Sequence, residues 1–169
     1  MKTSKKDAEL LIEKLGLKPL PLEGGYFRET YRSDRKMAES GLGSQKSVST
    51  CIYFLLSSDT FSAFHRLPSD EIWHFYAGDP VELFVINQDG KLQVNILSAS
   101  LIDGTAPQAV VHGGCWQAAC LAEGGSFALL GCTVAPAFDF ADYEHGKRDE
   151  LLFSYPTYSK EILKLTRSE

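Results

Sequence analysis

Most of the chain consists of short segments rich in apolar residues, which end at Gly, Pro, Asp, Asn or Ser. Alternation with a period of two is typical of β-strands with one buried face, and these residue types favour the turns between strands. YFRETYRS alternates in this way, and it is followed by the short segments VSTCIYFLL, FSAFHRL, EIWHFYAG, VELFVIN, LQVNILS, AVVHGGCWQAACL and FALLGCTVAP. Because no helical pattern separates them, the sequence predicts an all-β sandwich or barrel of the jelly-roll type.

The two ends of the chain have a different, helical pattern. Apolar residues between Ala8 and Leu15 recur three and four positions apart, Ser4 can cap the start of a helix, and Gly16 can end it. Similar spacing predicts short helices over residues 147–153 and 159–166. The expected architecture is therefore a barrel with a short N-terminal helix and short C-terminal helices.

The length and aromatic content fit one core. The chain has 169 residues, with 10 Phe, 7 Tyr and 2 Trp, which is enough to fill one hydrophobic core. We expect a single domain over residues 1–169, with its core at about 22–144. The polar segment 33–45, SDRKMAESGLGSQ, has neither the strand pattern nor the helix pattern and is predicted to be a mobile loop.

Charge and cysteine content exclude several classes of function. The net charge is −5 and the basic residues are scattered, which argues against binding of a nucleic-acid polymer. The 4 cysteines form no C-x-x-C pair, so we expect free thiols in a reducing compartment. Since no apolar run resembles a signal peptide or a membrane span, we expect a cytoplasmic protein that does not bind membranes.

Candidate chemistry is concentrated in residues 64–78, FHRLPSDEIWHFYAG. His65 and Glu71 are separated by a Pro-Ser-Asp turn, so they can face each other from neighbouring strands. Alternation in the second strand places Glu71 and Trp73 on the inner face and His74 on the outer face. His74 is therefore a poor candidate for a ligand inside the barrel.

This stretch resembles the first motif of the cupins, G-x5-H-x-H-x3or4-E-x6-G. His65 stands at the first histidine, Glu71 at the glutamate and Gly78 at the final glycine, but Leu67 replaces the second histidine. HGGCWQAACL is a weaker counterpart of the second cupin motif, in which Gln117 replaces the ligand histidine. Two of the four customary metal ligands are thus present.

Over a larger part of the chain, four segments from Leu22 to Glu144 are similar, in the same order, to the uncharacterised single-cupin family that is numbered the fifth. These segments are LEGGYFRETYRS, FHRLPSDEIWHFYAGDP, GGCWQAA and GCTVAPAFDFADYE. The resemblance implies a cupin jelly roll that forms dimers, and it implies no established reaction.

The resemblance also raises the question of a metal ion. If an ion is bound, His65, Glu71 and Gln117 are its expected inner shell, and the amide is a weak ligand for a first-row transition metal. We therefore predict no tightly held metal, while a weakly held divalent transition metal stays open. In the alternative, His65 and Glu71 bond to each other in a polar pocket, because an inward carboxylate needs a partner.

The segment EGGYFRET is similar to a stretch of the deoxy-sugar 3,5-epimerases, metal-free enzymes with the cupin fold. This similarity implies His65 as a catalytic base beside a carbonyl, and we expect Glu71 to orient or partner it. We expect Tyr26, Arg28, Trp73 and Gln117 to bind a sugar-like or nucleotide-like ligand. For Arg28, a surface position on an edge strand is the alternative.

Three functions remain open from the sequence. The first is a metal-free sugar or nucleotide-sugar epimerase or isomerase, the second a non-catalytic small-molecule sensor or storage module, and the third a metal-dependent cupin enzyme. A homodimer is expected because apolar side chains on the outer faces of strands would otherwise be exposed. The outer residues that predict this interface are Phe27, Tyr31, Ile72, His74 and Tyr76.

Overall fold

The fold is known from a computed structural model, which describes residues 3–38, 45–101 and 104–167. The helices are α1 (Lys5–Leu15), α2 (Arg148–Ser154) and α3 (Ser159–Lys164). The strands are β1 (Lys18–Pro19), β2 (Tyr26–Arg32), β3 (Lys36–Ala38), β4 (Gln45–Ser47), β5 (Thr50–Ser57), β6 (Ser62–Arg66), β7 (Asp70–Gly78), β8 (Val81–Ile86), β9 (Leu92–Leu97), β10 (Thr105–Ala106), β11 (Gln108–Val111), β12 (Trp116–Leu121), β13 (Phe127–Ala135) and β14 (Glu144–His145).

Two six-stranded sheets form the body of the protein. The first has the strand order β1-β2-β5-β13-β7-β11, and the second has the order β10-β9-β8-β12-β6-β14. The main core cluster joins inward residues of both sheets, including Phe54 and Trp73 from the first and Leu83 and Ala119 from the second. Several neighbouring strands, such as β5 and β13 or β6 and β12, come from distant parts of the chain, and the predicted all-β jelly roll is confirmed.

Helix α1 begins and ends where the sequence predicts. Ser4 and Asp7 form a reciprocal capping box at its start, and Gly16 ends it in the left-handed conformation. Its apolar face packs on one end of the first sheet, where Ala8 and Leu17 join Leu55 in a separate core cluster.

Helices α2 and α3 cover the outer face of the second sheet. Leu151 and Ile162 are buried there against Phe64, Phe84 and the residues around them. The predicted helical segments are thus correct to within a few residues at their ends, where predictions from sequence are least reliable.

Two predicted segments differ from the structure. The stretch AVVHGGCWQAACL forms the two strands β11 and β12, because a tight turn at Gly113 and Gly114 interrupts it. A Cβ atom on Gly113 would lie 2.1 Å from the carbonyl oxygen of Pro68, so only glycine fits. The predicted loop 33–45 contains strand β3, which pairs with β4, while residues 39–44 lie outside the described residues.

Over the described ranges, no helix is long and apolar enough to cross a membrane.

Candidate functional site

A cavity of about 230 Å³ lies between the two sheets. Buried side chains such as His65 and Glu71 form its inner end, and exposed side chains such as Glu29 and Arg32 form its outer end. Its lining residues are Leu20, Glu23, Phe27, Glu29, Arg32, Thr50, Ile52, Phe54, His65, Leu67, Glu71, Cys132, Val134, Phe138, Asp139 and Phe140.

His65 is the only imidazole on the wall of this cavity in the part of the chain that the structure describes. Its Nδ1 atom lies 2.8 Å from the carbonyl oxygen of Ala63, so this nitrogen carries the proton and donates the hydrogen bond. The Nε2 atom is then free to accept a proton. Burial lowers the pKa of His65, and the ring of Tyr143 stacks on the imidazole at 5.3 Å. A neutral, oriented base results.

The carboxyl group of Glu23 faces this base. Its Oε2 atom lies 3.9 Å from Nε2 of His65, and its Oε1 atom accepts a 2.8 Å hydrogen bond from Ser62. Burial raises the pKa of Glu23 to about 7. At neutral pH this carboxyl group therefore exists in both its protonated and its ionised form.

The loop between β1 and β2 turns Glu23 inward. Leu22, Gly24 and Gly25 all have positive φ angles, which bend the chain sharply on both sides of Glu23. A Cβ atom on Gly24 would lie 2.4 Å from the carbonyl oxygen of Phe61, so glycine is required there. The Leu-Glu-Gly-Gly sequence thus determines where the carboxyl group points.

Glu71 is held by a chain of hydrogen bonds from behind the cavity wall. Trp73 Nε1 donates to Gln117 Oε1 at 2.8 Å, and Gln117 Nε2 donates to Glu71 Oε2 at 2.6 Å. Burial raises the pKa of Glu71, and the hydrogen bond from Gln117 partly opposes this effect. Trp73 and Gln117 themselves are 1% exposed and are not on the cavity wall, so they support Glu71 rather than contact a ligand.

The outer end of the cavity carries a paired charge. Arg32 donates to the carboxylate of Glu29 through Nε at 3.0 Å and NH2 at 2.7 Å. Its NH2 group also donates to the carbonyl oxygen of Phe138 at 3.1 Å. Asp139 lies beside this pair and caps a short 3-10 turn, 140–142, by accepting from the backbone of Ala141.

The structure brings together some of the sequence-predicted residues. His65 and Glu71 line the cavity, and Glu71 and Trp73 share the inner face of β7, with His74 on the outer face. The structure does not bring Tyr26 and Arg28 to the cavity. Alternation along β2 turns Phe27 and Glu29 inward instead, while Arg28 lies over the ring of Tyr53 on the outer face.

The metal site implied by the cupin resemblance does not fit the donors that are present. The amide oxygen of Gln117 already accepts the Trp73 N–H, and Leu67 offers no donor atom. Within residues 3–38, 45–101 and 104–167, no group of 3 or more His, Cys, Asp or Glu side chains has the arrangement of a metal site.

Two residues of the site were missed by sequence reasoning. Glu23 lies in the segment LEGGYF, whose double glycine was the available signal for a strongly bent loop with an inward side chain. Tyr143 reaches His65 because the chain folds back from the outer end of the cavity to pair β14 with β6. No local pattern in the sequence indicates that contact.

Comparison with known proteins agrees with the fold. The chain is 31% identical over 143 residues to the uncharacterised protein YML079W of Saccharomyces cerevisiae, covering 77% of this chain and 71% of that protein. Protein SO0799 of Shewanella oneidensis is 35% identical, with a TM-score of 0.87 over 96% of this chain and 98% of its own. A hypothetical protein from Leishmania major is 32% identical, with a TM-score of 0.89 over 95% and 99%.

More distant structures share the fold alone. Oxalate decarboxylase of Bacillus subtilis is 12% identical, with a TM-score of 0.55 over 100% of this chain and 40% of that enzyme. The model of a family described as "Cupin superfamily (DUF985)", Cupin_5, matches residues 9–146. This match includes β1 to β14, and the solved structures from Shewanella oneidensis and Leishmania major share the same fold. The chain therefore belongs to the Cupin_5 family of the cupin superfamily.

Proposed function

We propose that the cavity is the active site of a metal-free isomerase that moves a proton between neighbouring carbon atoms of a small hydroxy-carbonyl compound. The observation that carries the proposal is the 3.9 Å approach of Nε2 of His65 to Oε2 of Glu23. A neutral imidazole and a carboxyl group with a pKa of about 7 form a base and an acid that are both available near neutral pH.

The proposed reaction conserves protons. His65 Nε2 takes the proton from the carbon beside the carbonyl, and the protonated carboxyl of Glu23 gives its proton to the carbonyl oxygen. The product of this step is a neutral enediol. His65 then returns its proton to the carbon atom that was the carbonyl carbon. Glu23 takes back a proton from the hydroxyl group on the carbon that was first deprotonated, and this group becomes the new carbonyl.

Glu71 has a supporting role in this scheme. Its charge favours the protonated form of His65, so it stabilises the imidazolium ion that forms during the reaction. Gln117 holds the Glu71 carboxyl group in place. Because His65 and Glu23 lie close together, we propose isomerisation rather than epimerisation, which needs a second proton donor on the opposite face of the carbon.

Exchange of substrate protons with solvent tests the proposal. D-ribose, D-glucose and D-fructose would be incubated with the protein in D₂O, and deuterium at the carbon beside the carbonyl would be followed by NMR. We expect His65→Gln and Glu23→Gln each to reduce exchange by about 10²- to 10⁴-fold, the usual contribution of one acid or base. Glu123→Gln, in the exposed turn after β12, is the matched control and should leave exchange unchanged.

Two outcomes would contradict the proposal. Absence of exchange above the protein-free rate, while a sugar still binds, would favour a non-catalytic binding module. Exchange that persists in both His65→Gln and Glu23→Gln would exclude this pair as the acid and base.

A further inference from the structure

We infer that the cavity takes an unphosphorylated compound of monosaccharide size and excludes sugar phosphates and nucleotide sugars. This inference rests on the proposed function and names the substrate class of the same site. It departs from the nucleotide-like ligand that the sequence suggests, and three features of the lining support it: charge, hydrogen-bonding capacity and volume.

The charge of the lining opposes an anionic ligand. Arg32 is the only lysine or arginine on the wall among the described residues, whereas Glu29 and Asp139 are both acidic. These two carboxylates outweigh Arg32 by one charge even before Glu23 and Glu71 ionise. A phosphate group in the cavity would therefore meet a lining with a net negative charge, and juxtaposed like charges disfavour binding.

The guanidinium of Arg32 is also already occupied. Its Nε and NH2 groups donate to both carboxylate oxygens of Glu29, and NH2 further donates to the carbonyl oxygen of Phe138. The planar two-point contact that arginine offers to phosphate is the one that Glu29 uses. A phosphate would have to displace Glu29 and lie beside Asp139.

The inner end of the cavity offers hydrogen-bond acceptors to its ligand. They are Nε2 of His65 and the carboxyl oxygens of Glu23 and Glu71, so a ligand with several hydroxyl donors matches them. Phe27 and Phe54 supply apolar wall, which suits the C–H faces of a small ring or chain.

The volume of the cavity favours ligands smaller than a drug-sized molecule. The cavity of about 230 Å³ is smaller than the ~300 Å³ at which pockets for drug-sized molecules begin. A nucleotide sugar, which combines a base, a ribose, a diphosphate and a second sugar, is larger than a drug-sized molecule. A single monosaccharide is well below that size.

Binding of matched pairs tests the inference. Dissociation constants would be measured by ligand-observed NMR for D-ribose, D-glucose and D-fructose, and for ribose 5-phosphate, glucose 6-phosphate and fructose 6-phosphate. At least one free sugar should bind about tenfold or more tightly than its phosphate, a free-energy difference of about 1.4 kcal/mol. Glu29→Gln, which releases Arg32, should bring the affinities of that pair within about threefold. Asp139→Asn, which keeps a capping side chain, should shift the ratio in the same direction and serves if Glu29→Gln does not fold.

Either of two results overturns the inference: a phosphate ester that binds as tightly as its parent sugar, or no binding of any of the three free sugars. These measurements need no turnover, so they are independent of the deuterium-exchange test. A free sugar that binds without exchange would contradict the proposed isomerase and leave this inference standing. Deuterium exchange seen on the phosphate esters alone would contradict this inference and leave the proposed isomerase standing.

Discussion

Gln117 donates a 2.6 Å hydrogen bond from its Nε2 atom to Oε2 of Glu71. The amide stands where a metal-binding cupin has a ligand histidine, and here it binds the neighbouring carboxylate instead. Its oxygen is used by Trp73, so both ends of the amide are occupied. Two of the three groups that would surround a metal, Glu71 and Gln117, are therefore bonded to each other.

We accordingly expect less than one equivalent of Mn, Fe, Co, Ni, Cu or Zn in the protein after dialysis without chelator, together with a folded apoprotein. Elemental analysis measures the metal, and Leu67→His, which adds a nitrogen donor beside His65 on the cavity wall, is a positive control that should raise its content. A stoichiometric transition metal, lost along with thermal stability in Glu71→Gln, would contradict this expectation.

The raised pKa of Glu23 should make stability depend on pH. Its pKa is about 7 in the folded protein, against 4.5 for an unperturbed glutamate, so the folded state retains the proton that the unfolded state loses. This contribution is fully present below pH 4.5 and is lost as the pH rises to about 7, by at most about 3 kcal/mol. Glu23→Gln should therefore gain stability relative to the wild type between pH 5 and pH 8, as measured by urea unfolding. An unchanged difference across that range would mean that Glu23 titrates normally.

The hydrogen bonds that hold Glu71 in place should also contribute to the free energy of unfolding. Trp73 is 1% exposed, and its N–H satisfies Gln117. Trp73→Phe would leave both a cavity and an unsatisfied amide oxygen, so we expect a loss of about 2–4 kcal/mol in the free energy of unfolding. Phe153→Leu, at a side chain that is 89% exposed, is the control and should change little. Ordinary surface substitutions change the free energy of unfolding by up to about 0.5 kcal/mol. A loss within that range in Trp73→Phe would show that the buried hydrogen-bond chain does not stabilise the fold.

Homodimer formation stays a prediction, and the exposed residues of the structure indicate which substitutions would test it. The outer face of the first sheet exposes Tyr31, Tyr76 and Val110, whereas Phe27, which the sequence assigned to this face, lines the cavity. We expect light scattering to give twice the chain mass of 18.7 kDa, and Val110→Glu to lower it. Val94→Glu, on the second sheet with similar exposure, should leave the mass unchanged. A wild-type mass near 18.7 kDa at micromolar concentration would rule the dimer out.

The sequence predicts strand β7 far better than strand β2. In β7 burial alternates from Asp70 to Phe75, so the inward position of Glu71 and the outward position of His74 agree with the parity expected from the sequence. In β2, Tyr26 and Phe27 are adjacent aromatics, and either phase of alternation gives a plausible inner face. A register shift between Glu29 and Tyr31 further disturbs the pattern.

The orientation of some site residues does not follow from periodicity in the sequence. The direction of Glu23 is set by positive φ angles at Leu22, Gly24 and Gly25, and no period predicts such a turn. Gln117 was recognised as a replaced ligand, but its two hydrogen-bond partners come from another strand and become visible only when the sheets are packed together.

The loop that carries Glu23 is also fastened by a residue far along the chain. Arg167 donates from Nε to the carbonyl oxygen of Leu22 at 2.9 Å and from NH2 to that of Glu23 at 3.1 Å, across 145 and 144 positions of sequence. Contacts between such distant residues close slowly, because the entropy of the intervening chain must be lost first. In a refolding experiment, recovery of the proposed sugar binding should therefore lag behind recovery of the β-sheet signal in circular dichroism. The acid of the proposed reaction would thus reach its final position late in folding.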